Sequence, residues 1–233
     1  PLRDVYKRQA RMIDTDSGTD IAPVATNGPY SFAIYEYYIS SDNRLWLFTD
    51  EGVYYQTTPF SRTPLIKYTP AASLDNLFDA AEVKRDEILI CGFGSVYHLR
   101  FLNGRMTWKT VLKSKNERLL FSVVKKSIRA NHFVIGADNL LAEYVLQDTL
   151  VKAKDWSQRI QTNYYSVYAY EQLGDSVMLF ATNNAGLVII DNDSVFQHIN
   201  NRHIQAHTLY DIAIDGKNTI WTGSYNGLSH LEY

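Results

Sequence analysis

NRLWLFTDEGVYY at residues 43–55 and NTIWTGSYNGLSHL at residues 218–231 share one grammar. Each has a polar turn, an apolar run with tryptophan, a hydroxyl residue three positions later, a glycine three positions after that, and a second apolar run. Short runs rich in β-branched and aromatic side chains, separated by Gly, Asn and Asp, are strands joined by hairpins. With the tryptophan as anchor, equivalent positions fall at Trp46, Ile90 in DEILICGFGSVYHL, Val134 in NHFVIGADNLLAEYVL, Leu179 in DSVMLFATNNAGLVII, and Trp221. Their spacings are 44, 44, 45 and 42 residues. A period of about 40 to 45 residues with several short strands marks the blades of a β-propeller.

The fourth unit reads strand by strand. Residues 165–171 are its first strand, 176–182 its second, 187–191 its third and 195–199 its fourth, with Leu173-Gly174-Asp175 and Asn183-Asn184-Ala185-Gly186 as turns. Gly52, Gly186 and Gly227 stand where a tight turn favours positive φ. The anchor precedes that turn, where a large side chain can fill the space between sheets packed about 10 Å apart. The expected fold is all-β: a β-propeller fragment of about five four-stranded blades, made of half a blade, four full blades and three strands of another. Blades 1 to 4 occupy residues 31–73, 74–117, 118–163 and 164–206, and the truncated fifth occupies 207–233. Ile13-Asp14-Thr15-Asp16-Ser17 repeats the pattern of Ile190-Asp191-Asn192-Asp193-Ser194, which makes residues 10–30 the last two strands of a preceding blade. One stretch contests the register. Leu74, Leu77, Phe78 and Ala81 have helical spacing behind Ser73, but the repeat requires a first strand there, and the register predicts a strand over 77–83.

Composition excludes several classes. The 17 Tyr, 10 Phe and 4 Trp in 233 residues give far more buriable surface than a solvated chain carries. A single cysteine excludes a disulfide framework and a Cys-based zinc cluster. No apolar run approaches the ~20 residues of a membrane-spanning helix. A net charge of −2 gives no electrostatic case for nucleic acid. Asp4-Val5-Tyr6-Lys7-Arg8-Gln9 resembles the translated end of a sequencing-library adapter, so residues 1–9 are set aside and the chain reads as a gene fragment.

The motifs at 43–55 and 218–231 resemble the two-component regulator propeller repeat: a turn, Trp, a small or aliphatic residue, Gly or Thr, a polar pair and Gly-Leu. The fourth unit matches with one inserted residue and Leu179 for Trp, whereas Ile90 and Val134 depart from the pattern and the third unit has Asp138-Asn139-Leu140 in place of the turn glycine. The resemblance implies a periplasmic or extracytoplasmic sensor region of a bacterial hybrid two-component system. Such a region is non-catalytic, binds carbohydrate or another small ligand, adjoins the remaining blades of its parent chain, and pairs as a homodimer in the parent. Two alternatives stay open: a propeller enzyme, such as a lyase or glycan hydrolase, and a protein-interaction propeller, whose Gly-His and Trp-Asp signatures are absent.

Ligand-facing candidates follow from propeller geometry, because variable turns and connections emerge around the channel mouth on one face. They are Asp50, Glu51, Asn139, Asn163, Tyr164, Asn183, Asn184, Tyr225 and Asn226. Amides, carboxylates and rings suit a neutral sugar, while Asn and Asp also belong in turns for backbone reasons. Asn27, Tyr30, Phe93, Asp138, Gln205 and His207 share these turns and connections. No cofactor and no metal is expected: His198, His203 and His207 lack a helical i, i+4 arrangement, and Asp14, Asp16 and Gly18 do not reproduce a calcium loop. Cys91 reads as a buried thiol. Tyr35, Tyr37, Tyr168, Tyr170 and Tyr210 read as packing between blades.

Overall fold

The computed structural model describes residues 11–13, 20–23, 34–49, 52–59, 64–68, 77–102, 105–198, 207–216 and 218–232. Among them β1 (Arg11–Ile13) and β2 (Asp20–Pro23) form a two-stranded antiparallel sheet. Blade 1 is β3 (Ile34–Ile39), β4 (Leu45–Thr49), β5 (Gly52–Gln56) and β6 (Ile66–Tyr68). Blade 2 is β7 (Leu77–Lys84), β8 (Glu87–Gly92), β9 (Ser95–Leu102) and β10 (Arg105–Lys113). Blade 3 is β11 (Phe121–Lys126), β12 (His132–Ala137), β13 (Leu140–Leu146) and β14 (Leu150–Asp155). Blade 4 is β15 (Ser166–Leu173), β16 (Val177–Asn183), β17 (Gly186–Asp191) and β18 (Ser194–His198). Blade 5 has three strands, β19 (Asp211–Ile214), β20 (Thr219–Ser224) and β21 (Gly227–Glu232). Each sheet is a meander in which successive strands pair antiparallel, giving an all-β, five-bladed propeller. The strand over 77–84 prevails over the helical spacing there, because its Leu77 and Ala80 complete the junction with blade 1.

The core lies between blades, not within them. A single sheet is one layer, so each face buries its apolar residues on a neighbour. Trp46, Phe48 and Val53 of blade 1 pack with Leu77, Ala80, Ile88, Ile90 and Leu99 of blade 2. Leu89 and Cys91 face the other way, against Phe133, Ile135 and Tyr144 of blade 3. Val134 and Trp156 of blade 3 meet Phe180 and Ile190 of blade 4, and Leu179 and Ile189 of blade 4 meet Ile212 and Ile220 of blade 5.

Pairing register corrects one anchor. Trp46 pairs with Tyr38, Val134 with Lys125 and Leu179 with Glu171, in each case the third pair beyond the register shift near the head of the first strand. At that step blade 2 has Leu89 opposite Ala81, one residue before Ile90. Trp46 and Leu89 stand 43 residues apart, one fewer than Trp46 and Ile90, so the difference arises in the stretch before β8. A slip of one residue sends a side chain to the opposite face of a strand. Ile90 accordingly faces blade 1, and Leu89 faces blade 3 as Trp46 faces blade 2. Trp221 keeps the register but is 39% exposed, against 3% for Trp46.

Every first strand of blades 1 to 4 bulges near its start, at Tyr35, Phe78 and Ser122 after the first residue and at Tyr168 after the second. A bulge sets two residues against one, bends the strand and re-aims a side chain. In blade 3 the re-aimed residue is small, and the Ser122 hydroxyl donates to the Val167 carbonyl of blade 4. Beside it, a Cβ added at Gly136 would stand 2.7 Å from the Val167 Cβ. Gly136→Ala is therefore expected to destabilise the protein by about 1–3 kcal/mol through overpacking, measured by urea unfolding. In a Val167→Ala background most of that loss should disappear, and an unchanged loss would refute the steric cause.

The junction of blades 3 and 4 is also clamped at the opposite ends of the strands. The β17–β18 turn places Asn192 and Asp193 at φ 44° and 70°, as a tight hairpin requires. Lys154 and Arg129 of blade 3 both pair with the Asp193 carboxylate, and Arg159 Nη1 donates to the Asp193 carbonyl at 2.5 Å. The hydrogen bond from Lys154, followed by the positive charge around it, holds the Asp193 carboxyl below the usual carboxylate range. A carboxylate whose folded pKa is depressed adds stability above its unfolded pKa of about 3.9 and loses it as pH falls through the folded value. The melting temperature of Asp193→Asn is thus expected below that of the parent at pH 7, with the gap closing under acid. A gap that persists at pH 2 would contradict the charge account.

Candidate functional site

Strand direction puts the turns between second and third strands on the same face as the connections into each next first strand. On this upper face a backbone latch recurs. The Gly94 N–H donates to Leu119 O at 2.8 Å, the Asn139 N–H to Tyr165 O at 2.8 Å, and the Gly186 N–H to His207 O at 3.0 Å. Each bond joins a turn of one blade to the start of the next. Gly94, Asn139, Asn184, Gly186 and Gly227 have φ between 52° and 108°, the left-handed region that Gly and Asn tolerate best.

These latches occupy part of the polar set selected from sequence. Asn139 Oδ1 accepts from the Tyr165 N–H at 2.9 Å, and Asn183 Oδ1 accepts from Thr208 Oγ1 at 2.8 Å. Asn163 and Asn184 are exposed. The Asn226 N–H donates to Ser224 Oγ at 3.1 Å, which fixes the tight turn of blade 5. Asp50, Glu51, Asn27, Tyr30, His203 and Gln205 lie outside the described residues. Asp138 accepts from Ser166 Oγ at 2.5 Å, and that oxygen stands 3.2 Å from the Tyr164 hydroxyl.

Tyrosines gather where blades 4 and 5 meet. Tyr168, at the bulge of β15, stacks on Tyr210 with ring centroids 5.6 Å apart and planes 9° apart. Tyr225, at the β20–β21 turn, meets Tyr210 at 5.0 Å and 85°. Burial and the hydrogen bond with Tyr225 push the Tyr210 hydroxyl up to about 12. Burial also raises Tyr168, followed by the influence of Tyr164 and Asp138, while a hydrogen bond with Asn183 opposes the rise. Both hydroxyls therefore stay protonated at neutral pH. Tyr225 is 88% exposed, Tyr164 45% and Tyr210 41%. Blade 2 repeats the motif with phenylalanines: Phe78 at its bulge meets Phe93 at its turn at 5.3 Å and 89°.

The structure brings Tyr164, Asn183 and Tyr225 into one neighbourhood. Sequence reasoning placed Tyr168 and Tyr210 in packing, and they do bridge two blades, but at the open mouth. A detectable signal was available: an aromatic residue follows an aliphatic one near the start of the first strand, at Ile34-Tyr35, Leu77-Phe78, Val167-Tyr168 and Leu209-Tyr210. Tyr170, two residues on from Tyr168, packs on Phe180 at the junction with blade 3. Cys91 is fully buried, and burial raises its thiol well above the ordinary range. Among the described residues no group of three or more His, Cys, Asp or Glu could hold a metal ion, and no helix is long and apolar enough to cross a membrane.

No protein-family model and no curated protein sequence matches the chain. Its fold is similar to the extracellular domain of a hybrid two-component system from B. thetaiotaomicron, with TM-score 0.66 and 16% identity over 94% of this chain. It is similar also to PorZ, a surface component of the type-IX secretion system of Porphyromonas gingivalis, with TM-score 0.66 and 10% identity over 93% of this chain. A chain of the mitotic checkpoint complex gives TM-score 0.64 and 12% identity over 97% of this chain and 74% of that one. The chain spans 28% of the two-component protein's domain and 35% of PorZ. At these identities the likeness is one of fold.

Proposed function

We propose that the chain is a ligand-binding segment of an extracytoplasmic sensor propeller from a bacterial two-component receptor, and that its ligand is a carbohydrate. The observation that carries this reading is the coincidence of two independent likenesses. The repeat motif at Trp46 and Trp221 points to two-component propellers, and the fold match extends over 94% of the chain to an extracellular two-component domain. In this reading the segment binds without catalysing, its neighbours are the remaining blades of the parent, and a second receptor copy completes the signalling unit. Carbohydrate fits the upper face because exposed tyrosine rings with neutral hydroxyls offer both stacking and hydrogen bonding to a sugar.

The test is isothermal titration of the full chain with neutral oligosaccharides, coupled to chromatography of the recovered sugar. Saturable binding with intact sugar is the expected result. Cleavage of the sugar would favour a glycan hydrolase or lyase, and absence of binding across the panel would overturn the carbohydrate reading.

A further inference from the structure

We propose that the seam between blades 2 and 3 is an acid-sensitive switch, opened when His98 takes up a proton. This goes beyond the ligand reading above and stands whether or not a sugar binds.

His98 lies on the third strand of blade 2, with Leu89 as its cross-strand partner on one side and Lys109 on the other. Leu89 packs with Phe133, Ile135 and Tyr144 of blade 3, and the Lys109 ammonium donates to the Asp148 carbonyl of blade 3 at 2.6 Å. His98 therefore sits in the seam itself, 2% exposed, and its ring meets water when the two blades part. Among the described residues its Nδ1 has no hydrogen-bond partner. A proton there would be a buried donor with nothing to receive it.

The other four-stranded blades show what this position needs. It is filled by Tyr55, Glu143 and Ile189, each paired with the residue at the anchor step. Ile189 is buried, so packing there asks for no titratable group. Glu143 is buried as deeply as His98, yet the Ser127 hydroxyl and Arg129 Nη1 both donate to its carboxylate. His98 lacks such compensation. Its Nε2 stands 3.0 Å from Glu87 Oε2, but Lys84 at 3.1 Å and Arg100 at 3.4 Å already share that carboxylate. Blade 3 brings Tyr144 and Lys152 to the seam, with Lys152 Nζ 6.0 Å from the Tyr144 ring and 2.7 Å from Asp155 Oδ2. Cys91 and the Asp79–Lys125 pair lie toward its inner end. Burial, followed by Arg100, holds His98 below the ordinary imidazole value of about 6.5, with Glu87 opposing and Lys109 reinforcing the fall. Above that ordinary value His98 is neutral whether the seam is closed or open. As pH falls below it, the open seam gains a proton that the closed one refuses, so acid lowers the cost of opening.

The test is hydrogen exchange of the full chain followed by mass spectrometry, at about pH 7.5 and about pH 5.5, with rates corrected for the intrinsic pH dependence of exchange. One unit below the ordinary imidazole value, protonation of a single histidine raises the open fraction by at most about tenfold. Protection over β9, β12 and β13 is expected to fall about three- to tenfold in acid, while β16 and β17 of blade 4 keep theirs. His98→Ile, which copies Ile189 of blade 4, should be equally protected at both pH values. A parent whose protection does not change overturns the proposal, as does an acid step of equal size in His98→Ile or one spread evenly over all blades. If His98→Ile fails to fold, the ring titration of His98 in the parent is followed by NMR. A midpoint below about 6.5 then supports the switch, and one at or above it overturns it.

Discussion

Trp46→Ala is expected to cost about 3–5 kcal/mol of stability, and Trp221→Ala about 1 kcal/mol. The two tryptophans have the same local surroundings. Trp46 Nε1 donates to Ser40 Oγ at 3.3 Å and Trp221 Nε1 to Asp215 Oδ2 at 3.2 Å, in both cases six residues back. Trp46 lies 5.5 Å from Tyr55, and Trp221 lies 5.3 Å from His230, nine residues on in each case. The difference is what lies above them. Blade 2 covers Trp46, with Phe101 edge-on to Tyr55 at 5.8 Å and the Arg44 guanidinium 5.1 Å from the Phe101 ring. Trp221 and the neighbouring Leu228 remain 39% and 73% exposed. Removing a covered indole leaves a cavity as well as a lost transfer term, whereas solvent fills the space left by an exposed one. Urea unfolding of both variants provides the measurement, and equal losses would show that the covering blade contributes nothing at this position.

The second large effect is expected at the inner strands. Asp79→Ala should destabilise by about 3–5 kcal/mol, the usual cost of breaking a buried ion pair from one side. Asp79 Oδ2 accepts from the Val124 N–H at 2.9 Å and Oδ1 from Lys125 Nζ at 2.5 Å, so one side chain of blade 2 satisfies a backbone amide and an ammonium of blade 3. Its side chain is 5% exposed. Burial raises its carboxyl, with Lys125 the leading opposing influence. Asp79→Leu combined with Lys125→Met should recover most of the loss, because an apolar pair removes both charges together. If the double variant were as unstable as the single one, the loss would belong to shape and not to the unpaired charge.

The limits of the sequence reading have identifiable physical causes. The strand grammar around Trp46 and Trp221 depends on local patterning and turn chemistry, and it located the sheets, including a first strand at 77–84 despite helical spacing. The shift from Ile90 to Leu89 escaped it because a difference of one residue in the stretch between two anchors leaves the period almost unchanged while it reverses the face of a strand. Gly136 reads as an ordinary strand glycine until the Val167 side chain of the next blade is seen against it. Asp79 and Lys125 lie 46 residues apart, and no local pattern connects them. At the upper face, residue type correctly suggested a turn for Asn139, whereas Asn183, read as a turn residue, ends strand β16. Which of their atoms remained available depended on hydrogen bonds to another blade.

The recurring latch changes what counts as one unit of this protein. By sequence a repeat runs from first strand to last strand, but the bonds at Gly94, Asn139 and Gly186 tie each turn to the residues that begin the following repeat. A blade excised at its sequence boundaries and grafted into another propeller would carry two half-latches, each missing its mate. A graft cut just before a turn between second and third strands, and ending at the corresponding point one period later, would keep one latch whole. Because two main-chain groups form each latch, such chimeras could differ widely in side chains and still join, leaving the upper face free to diversify from blade to blade.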